Sequence, residues 1–389
     1  MLAACSTRKD SSSQNTDAVV VAVDTVPHIN PLDTMKRDKQ LDALGRFMAG
    51  MNQLDSGKFS ALEKEKSWQE YKTTTDSNWN RLYRERLGKI QSWEPENLGT
   101  RIDNKLGLFY PFSGPDYLHA HYLFPSAPSY TLVGLEPIAD IDPLDTLTEA
   151  GRKEFLDSLG HSLRDVFRKS FFETNNMRQD FKKVRGVLPL IIFFLERTDH
   201  ELVGKQFLYL DPEGQPVFTS MDELNKKKGR RVKGVRVDFR DRKTLQFKQL
   251  YYFSQNVIND DLKRRPEFGK FLARKKPFNT FIKSASYLMH RDTFTEIKRL
   301  ITDNSQTIFQ DDTGIPYREF ASKMGWDMQF YGDYIKPIKL FESRYQPDLD
   351  SAFKAAPERV PLPFNLGYHY GSSKHNYMLA KKAPIGPNR

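Results

Sequence analysis

Residues 108–118 read LFYPFSGPDYL and decide the fold, because an apolar run meets a Ser-Gly-Pro turn there. The pattern predicts a strand over residues 106–112 and a short helix over residues 115–124. Ser near the cap and Pro in the first helical position suit the unpaired N–H groups of a helix start. A second predicted strand, residues 130–135, ends at Glu136. The stretch therefore predicts a β–α–β unit.

This unit resembles a dinucleotide-binding motif in its spacing. Gly114 and Glu136 are 22 residues apart, about the distance at which such a motif places the acidic residue that holds a ribose. The turn has a single Gly, however, where close approach of phosphates needs three, and Pro115 removes a backbone donor. A structural β–α–β unit is therefore favoured over nucleotide binding.

Strands and helices alternate over most of the remaining chain. Residues 187–195, VLPLIIFFL, are apolar on both faces and are predicted to form a central strand. Residues 278–289 are also predicted to form a strand. The alternation predicts an α/β fold with three layers and a largely parallel sheet with an antiparallel edge. We expect four regions: a lipobox and tether (1–35), a helical region (36–98), an α/β domain (99–345) and a C-terminal segment that wraps the surface (346–389).

The acidic residues after the predicted strands form the candidate site, since ligands of α/β sheets gather at the carboxyl ends of strands. Asp311 and Asp312 are adjacent, and neighbouring carboxylates raise one another's pKa, which suits acid–base chemistry. The alternative is an Asp-rich turn. The ligand-binding candidates are Ser113, Gly114, Asp116 and Glu136, and the catalytic candidates are Asp311, Asp312, Asp116 and Glu136.

Other motifs are weaker. His119 and His121 are two residues apart and would face different sides of a helix, which makes a poor metal pair. Lys283 and Ser284 would lie on opposite faces of the strand predicted over residues 278–289, so they are not expected to act together. We predict neither a metal site nor a cofactor.

The N-terminus predicts a lipid anchor. Cys5, the single cysteine, ends the stretch MLAAC, which has the residue types of a bacterial lipobox, and a polar segment, STRKDSSSQNTD, follows it. The four residues before Cys5 are too few for a signal peptide, so we expect either that the coding region begins upstream or that the sequence has been trimmed. Ser6 in place of Asp favours the outer membrane. A chance match is the alternative.

A basic stretch holds most of the net charge of +10, with eleven Lys and Arg against two Asp between Lys226 and Lys248. Val235, Val237 and Phe239 alternate with polar residues there, which predicts a half-buried strand. One interpretation is an exposed edge strand protected by its charges. The other is a contact with anionic lipid or acidic glycan, for which the candidates are Lys226, Lys227, Lys228, Arg230 and Arg231. Nucleic acid is not expected at an envelope location.

Five motifs, YPFSGPDYL, TLVGLEP, GVLPLIIFFLERT, KSASYLMH and QDDTGIPYREF, carry a resemblance. Together they resemble a family of uncharacterised bacterial secreted or lipoprotein-like proteins, over about residues 65–380. The resemblance implies a shared fold and transfers no catalytic residue.

The sequence thus favours a lipid-anchored cell-envelope protein, facing the periplasm or the cell surface, whose α/β domain binds a ligand or a protein partner. The first alternative is a hydrolase or transferase that acts on envelope glycan or lipid through the carboxylates. The second is a degenerate Rossmann domain with methyltransferase-like geometry.

Overall fold

Ten strands of the computed structural model form one mixed sheet within the described residues, which are 37–172, 183–226, 231–321, 325–356 and 358–383. The strands are β1 (Leu108–Tyr110), β2 (Ser129–Gly134), β3 (His200–Leu210), β4 (Pro216–Thr219), β5 (Lys233–Asp241), β6 (Phe247–Ser254), β7 (Phe278–Ile282), β8 (Ser305–Gln310), β9 (Trp326–Gly332) and β10 (Asn376–Lys382). Their order across the sheet is β4-β3-β5-β6-β2-β1-β7-β8-β10-β9.

The centre of the sheet is parallel and both edges are antiparallel. Strands β6, β2, β1, β7 and β8 pair in parallel. Strands β5, β3 and β4 continue one edge in antiparallel fashion, and β10 and β9 continue the other. Counted along the chain, the parallel strands have the order 3-2-1-4-5, which is the doubly wound order. The predicted α/β sheet is confirmed, and its topological switch point lies between β1 and β7.

Helices cover both faces of the sheet. The α-helices of the described residues are α1 (Lys39–Met48), α2 (Lys58–Leu62), α3 (Lys66–Leu82), α4 (Gly88–Asn97), α5 (Tyr117–Leu123), α6 (Glu149–Lys169), α7 (Leu188–Arg197), α8 (Met221–Lys226), α9 (Asn259–Arg264), α10 (Glu267–Lys275), α11 (Thr295–Asn304), α12 (Tyr317–Ala321) and α13 (Pro347–Ala355). A π-helical segment, Tyr83–Leu87, joins α3 to α4. None of these helices is both long and apolar enough to cross a bilayer.

Two hydrophobic cores separate the three layers. Leu108 and Tyr110 of β1 point into a core shared with α1 to α7, whereas Phe109 between them points into a core shared with α9 to α13. This alternation is the period-two pattern of a strand that is buried on both faces. The three tryptophans of the predicted helical region, Trp68, Trp79 and Trp93, lie in the first core.

The prediction of a strand over residues 187–195 is wrong, because these residues belong to helix α7. Every residue from Leu188 to Glu196 is buried. A run that is apolar all round fits a helix enclosed by neighbours as well as it fits a central strand. Pro189 lies in the first turn of the helix, where its missing N–H costs nothing. Helices α1, α5 and α6 and strand β3 enclose α7.

The edge-strand interpretation of the basic stretch is also wrong. Strand β5 lies between β3 and β6, two strands away from the edge. Val235, Val237 and Phe239 are fully buried, as their alternation predicts. The edge position belongs to β4, which pairs with the far side of β3.

The C-terminal residues do more than wrap the surface. Strand β10 inserts between β8 and β9, so the chain's end completes the sheet. Tyr377 and Leu379 face one core, and Met378 and Ala380 face the other. From residue 37 onward the described residues belong to one compact unit.

Candidate functional site

The strand order brings several predicted site residues to one edge of the sheet. Strands β2, β1, β7 and β8 are neighbours, so the loops that follow their carboxyl ends lie side by side. The candidates there are nevertheless almost completely buried. Their exposed fractions are 6% for Ser113, 1% for Asp116, 7% for Glu136, 5% for Asp311 and 3% for Asp312.

A buried ion pair occupies the switch point itself. Lys283 directly follows β7, and its Nζ lies 2.7 Å from Oδ2 of Asp116 in the loop after β1. Lys283 also donates to the backbone oxygen of Ser170. Burial lowers the pKa of Lys283 below its ordinary value. Burial alone would raise the pKa of Asp116, but His119 and Lys283 hold it below the usual range. The pair is therefore a fixed, desolvated contact.

Asp116 also caps helix α5. Its Oδ1 accepts a hydrogen bond from the backbone N–H of His119 at 3.2 Å, and its Oδ2 accepts one from the Tyr110 hydroxyl at 3.0 Å. Burial lowers the pKa of His119 to about 4, so the imidazole is neutral near pH 7 and its Nδ1 lies 2.8 Å from Oδ1 of Asp116. The predicted start of this helix at Pro115 is therefore two residues early, and the cap is Asp116 and not Ser113.

Asp311 and Asp312 lie in the loop after β8, and the strand ends before them at Gln310. Asp311 accepts hydrogen bonds from the Ser284 backbone N–H at 2.8 Å and from the Thr313 hydroxyl at 2.5 Å. Asp312 accepts one from the Tyr287 hydroxyl at 2.5 Å. Burial raises the pKa of both carboxyls, and the charge of Asp311 helps to raise that of Asp312 to about 7. Asp312 can thus gain or lose a proton near neutral pH.

Left-handed backbone conformations cluster on both sides of the switch point. After β7, Ser284, Ser286 and Tyr287 have φ values of 54°, 51° and 52°, and after β1, Phe112 has a φ of 59°. Such conformations cost about 1–3 kcal/mol each in residues with a side chain and persist only where surrounding contacts impose them. The loops at the switch point are therefore held in place by packing.

Glu136 and Ser113 form hydrogen bonds with neighbouring parts of the sheet. Oε2 of Glu136 accepts a hydrogen bond from the Tyr252 hydroxyl at 3.2 Å and lies against the glycine of the β1 loop, since a Cβ on Gly114 would be 3.4 Å from it. The Ser113 hydroxyl accepts a hydrogen bond from the Val133 N–H at 3.1 Å, which ties the β1 loop to β2.

The C-terminal segment closes the crevice above these residues. Gly367 has a φ of 72°, and a Cβ there would come within 2.9 Å of Oδ2 of Asp311 and 3.0 Å of Oγ of Ser284. Its N–H donates to Oγ of Ser170 at 2.7 Å, and the Tyr368 hydroxyl donates to the Ser284 backbone oxygen at 3.1 Å. Residues 366–368 therefore fill the position at which doubly wound folds bind their ligands.

The remaining candidates lie elsewhere. Cys5, Lys227, Lys228 and Arg230 fall outside the described residues. Lys226 pairs with Glu223 at 3.4 Å, and the guanidinium of Arg231 lies 4.4 Å from the centroid of the Tyr209 ring. Farther along the basic stretch, three arginines form largely buried ion pairs, Arg236 with Asp238, Arg240 with Glu201, and Arg242 with Asp42 and Glu196. Lys243 forms an exposed pair with Asp199.

Sequence reasoning missed Lys283 and His119. The prediction of one strand over residues 278–289 places Lys283 within the strand, but β7 ends at Ile282 and Lys283 begins the loop. A lysine at the carboxyl end of an apolar strand is the signal that could have indicated this ion pair, because a buried ammonium group needs an anionic partner.

No group of three or more His, Cys, Asp or Glu side chains within the described ranges is arranged to hold a metal ion. Comparison of the chain with models of known protein families, with curated proteins and with solved structures finds no match.

Proposed function

We propose that this chain is a lipid-anchored cell-envelope protein whose α/β domain binds a ligand or partner and uses no nucleotide cofactor. The observation that carries the second half of this proposal is the closed switch point. The Lys283–Asp116 pair and residues 366–368 occupy it. The lipobox-like residues that end at Cys5 and the polar segment after them support the first half.

The start of helix α5 gives the physical reason to exclude a nucleotide. Doubly wound folds place a phosphate at the N-terminus of the helix that follows the first strand, where backbone N–H groups and the helix dipole favour negative charge. Here the carboxylate of Asp116 takes that place and Lys283 neutralises it. A phosphate would meet an existing anion whose neighbouring ammonium group is already paired.

Thermal unfolding with added ligands tests this half of the proposal. The full chain would be melted with ATP, NAD and S-adenosylmethionine, each at a concentration near 1 mM. A ligand present at 100 times its Kd stabilises the folded state by about 2.7 kcal/mol. We expect no increase in Tm. A clear increase with any of the three would overturn the assignment of a closed switch point.

Labelling tests the anchor. The gene with its full upstream region would be expressed in a bacterium that is fed labelled palmitate, beside a Cys5→Ser variant. We expect label in the parent protein and none in the variant. Unlabelled parent protein in the cytosolic fraction would overturn the anchor and leave the binding assignment intact.

A carboxylate enzyme is a second candidate, because the pKa of Asp312 is about 7 and Asp311 and Tyr287 lie beside it. This constellation would act as a general acid on an envelope glycan or lipid. Hydrolysis of glycan or lipid extracts by the parent protein, lost in an Asp312→Asn variant, would establish it. Asp116 is committed to Lys283 and is not available for that role.

Methyltransferase-like geometry is the third candidate. The parallel strands β8 and β9 are separated by antiparallel β10, so the sheet keeps the doubly wound order with one antiparallel insertion. Glu136 follows β2, where a ribose-binding acid would stand. Fold alone does not establish function, and the S-adenosylmethionine arm of the melting experiment decides this case.

A further inference from the structure

An open groove runs between helices α3 and α6, on the outer side of the first helical layer. Its volume is about 1010 Å³, at the upper end of the range for small-molecule sites. The wall formed by α3 extends from Ser67 to Arg81, which is roughly 21 Å at 1.5 Å per residue. The groove therefore suits an elongated ligand.

Gly160 keeps the middle of this groove open. It lies inside helix α6, where an Ala would favour the helix by about 1 kcal/mol. A Cβ at this position would have its nearest neighbour, the Tyr71 ring, at 3.9 Å, so packing does not require a glycine. The missing side chain leaves space in the groove at a cost in helix stability.

Three arginines face the groove without carboxylate partners. Arg81, Arg164 and Arg168 line it, and no ion pair within the described part of the chain involves any of them. Two of the acidic side chains in the groove are already paired, Glu70 with Lys66 at 3.8 Å and Asp157 with Lys153 at 2.7 Å. Glu85 is the remaining carboxylate of the lining. The groove therefore presents excess positive charge in a form that binds planar anions well.

The other side chains that line the groove suit a polar ligand. Thr74, Asn78 and His161 supply hydroxyl, amide and imidazole groups, and the half-buried ring of Phe167 supplies an apolar face. An amphipathic helix would need an exposed apolar stripe on which to dock. Leu156 and Leu163 on the groove floor are only 2% and 1% exposed, so a docked helix would bury almost no further apolar surface there.

We propose that the groove between α3 and α6 binds an anionic oligosaccharide, whose carboxylate or sulfate groups are held by Arg81, Arg164 and Arg168. The inference rests on the proposed binding function and names its ligand class. Binding in the groove depends neither on the lipid anchor nor on the closed switch point. Failure to bind an acidic oligosaccharide would therefore leave the conclusions from the labelling and melting experiments unchanged.

Titration calorimetry of the full chain tests the proposal. The probes would be an oligogalacturonate hexamer, a sulfated hexasaccharide and, as the neutral control, maltohexaose. The groove variant would carry Arg81→Gln, Arg164→Gln and Arg168→Gln. We expect binding of at least one acidic probe, no binding of maltohexaose, and a loss of affinity of ~100-fold or more in the variant, since charge-assisted hydrogen bonds are lost.

Two further variants test whether binding depends on the groove itself or only on the overall positive charge of the protein. A control variant with Arg101→Gln, Arg274→Gln and Arg291→Gln removes the same charge from exposed positions outside the groove, and its affinity should stay within about twofold of the parent. Gly160→Leu fills the groove without a change of charge and should weaken binding at least ~10-fold by excluded volume. Failure of both acidic probes to bind, or equal losses of affinity in both arginine variants, would overturn the proposal.

Discussion

Lys283 and Asp116 at the switch point are 2% and 1% exposed and lie 2.7 Å apart, whereas Arg164 and Arg168 in the groove between α3 and α6 are exposed and have no carboxylate partner among the described residues. A desolvated charge is stable only with its partner, so such a pair belongs to the folded framework. Exposed charges contribute little to stability and stay available to a ligand. The comparison separates the position where this fold usually binds ligands from the surface that is equipped to bind one.

The largest expected effect is a difference in stability between two Lys→Met variants, one at the switch point and one in the groove. Lys283→Met leaves Asp116 buried without its ammonium partner and should lower the free energy of unfolding by about 3–5 kcal/mol. Lys153→Met on the groove wall breaks a pair whose side chains are each 51% exposed, and it should leave the free energy of unfolding nearly unchanged. Urea unfolding of both variants measures the difference.

A double variant sharpens this result. Asp116→Asn keeps a residue that caps helices well, and in combination with Lys283→Met it removes both charges. We expect the double variant to be more stable than Lys283→Met alone. Equal losses from Lys283→Met and Lys153→Met would mean that the switch-point pair is solvated in solution, and the contrast between the regions would disappear.

The next effect depends on pH and concerns Asp312. Its folded pKa of about 7 exceeds the ordinary value of 3.8, so the folded state holds this proton more firmly than the unfolded state does. The contribution of Asp312 to stability is therefore full below pH 3.8 and falls as the pH rises to about 7. Asp312→Asn removes the titration, so the stability of the variant relative to the parent should rise by on the order of 4 kcal/mol over this window.

Denaturant midpoints between about pH 4 and pH 8 measure the Asp312 effect. Tyr287→Phe removes a hydroxyl that donates to the ionised carboxylate, so it should move the upper end of the window to higher pH. A difference between Asp312→Asn and the parent that stays constant with pH would show that this carboxyl titrates as it does in water.

The closure of the crevice is tested by a pair of glycines in one segment. Gly367→Ala forces a Cβ against Asp311 and Ser284 at a φ of 72° and should cost about 2 kcal/mol. Gly371→Ala is the control, because a Cβ there meets no atom within 4 Å, and it should stay within about 0.5 kcal/mol of the parent. If Gly367→Ala has no effect on Tm, residues 366–368 do not pack over the switch point in solution.

Local patterns in the sequence were sufficient for the β–α–β unit at residues 108–136 and for the alternate burial in β5. They failed where the answer depends on neighbours distant in the chain. Residues 187–195 fit a strand or a helix equally, and only the enclosure of α7 by other elements decides between them. Lys283 and Asp116 are 167 residues apart, so their contact follows from the strand order. The closure by Gly367 likewise depends on the insertion of β10 into the sheet.

The smallest expected effect concerns the basic stretch. Like the switch point it contains paired charges, and like the groove it contains exposed cations. Arg236, Arg240 and Arg242 pair with carboxylates inside the protein, which cancels much of the charge in that stretch. A residue that contacts anionic lipid contributes about 1 kcal/mol, so reversal of two such residues would weaken retention on vesicles at least ~10-fold. We expect the double variant Lys226→Glu and Arg231→Glu to change retention on phosphatidylserine vesicles by less than about twofold and to leave Tm nearly unchanged. A loss of tenfold or more that salt reproduces in the parent protein would instead assign anionic-surface binding to this stretch, which would then join the groove as a site for acidic ligands.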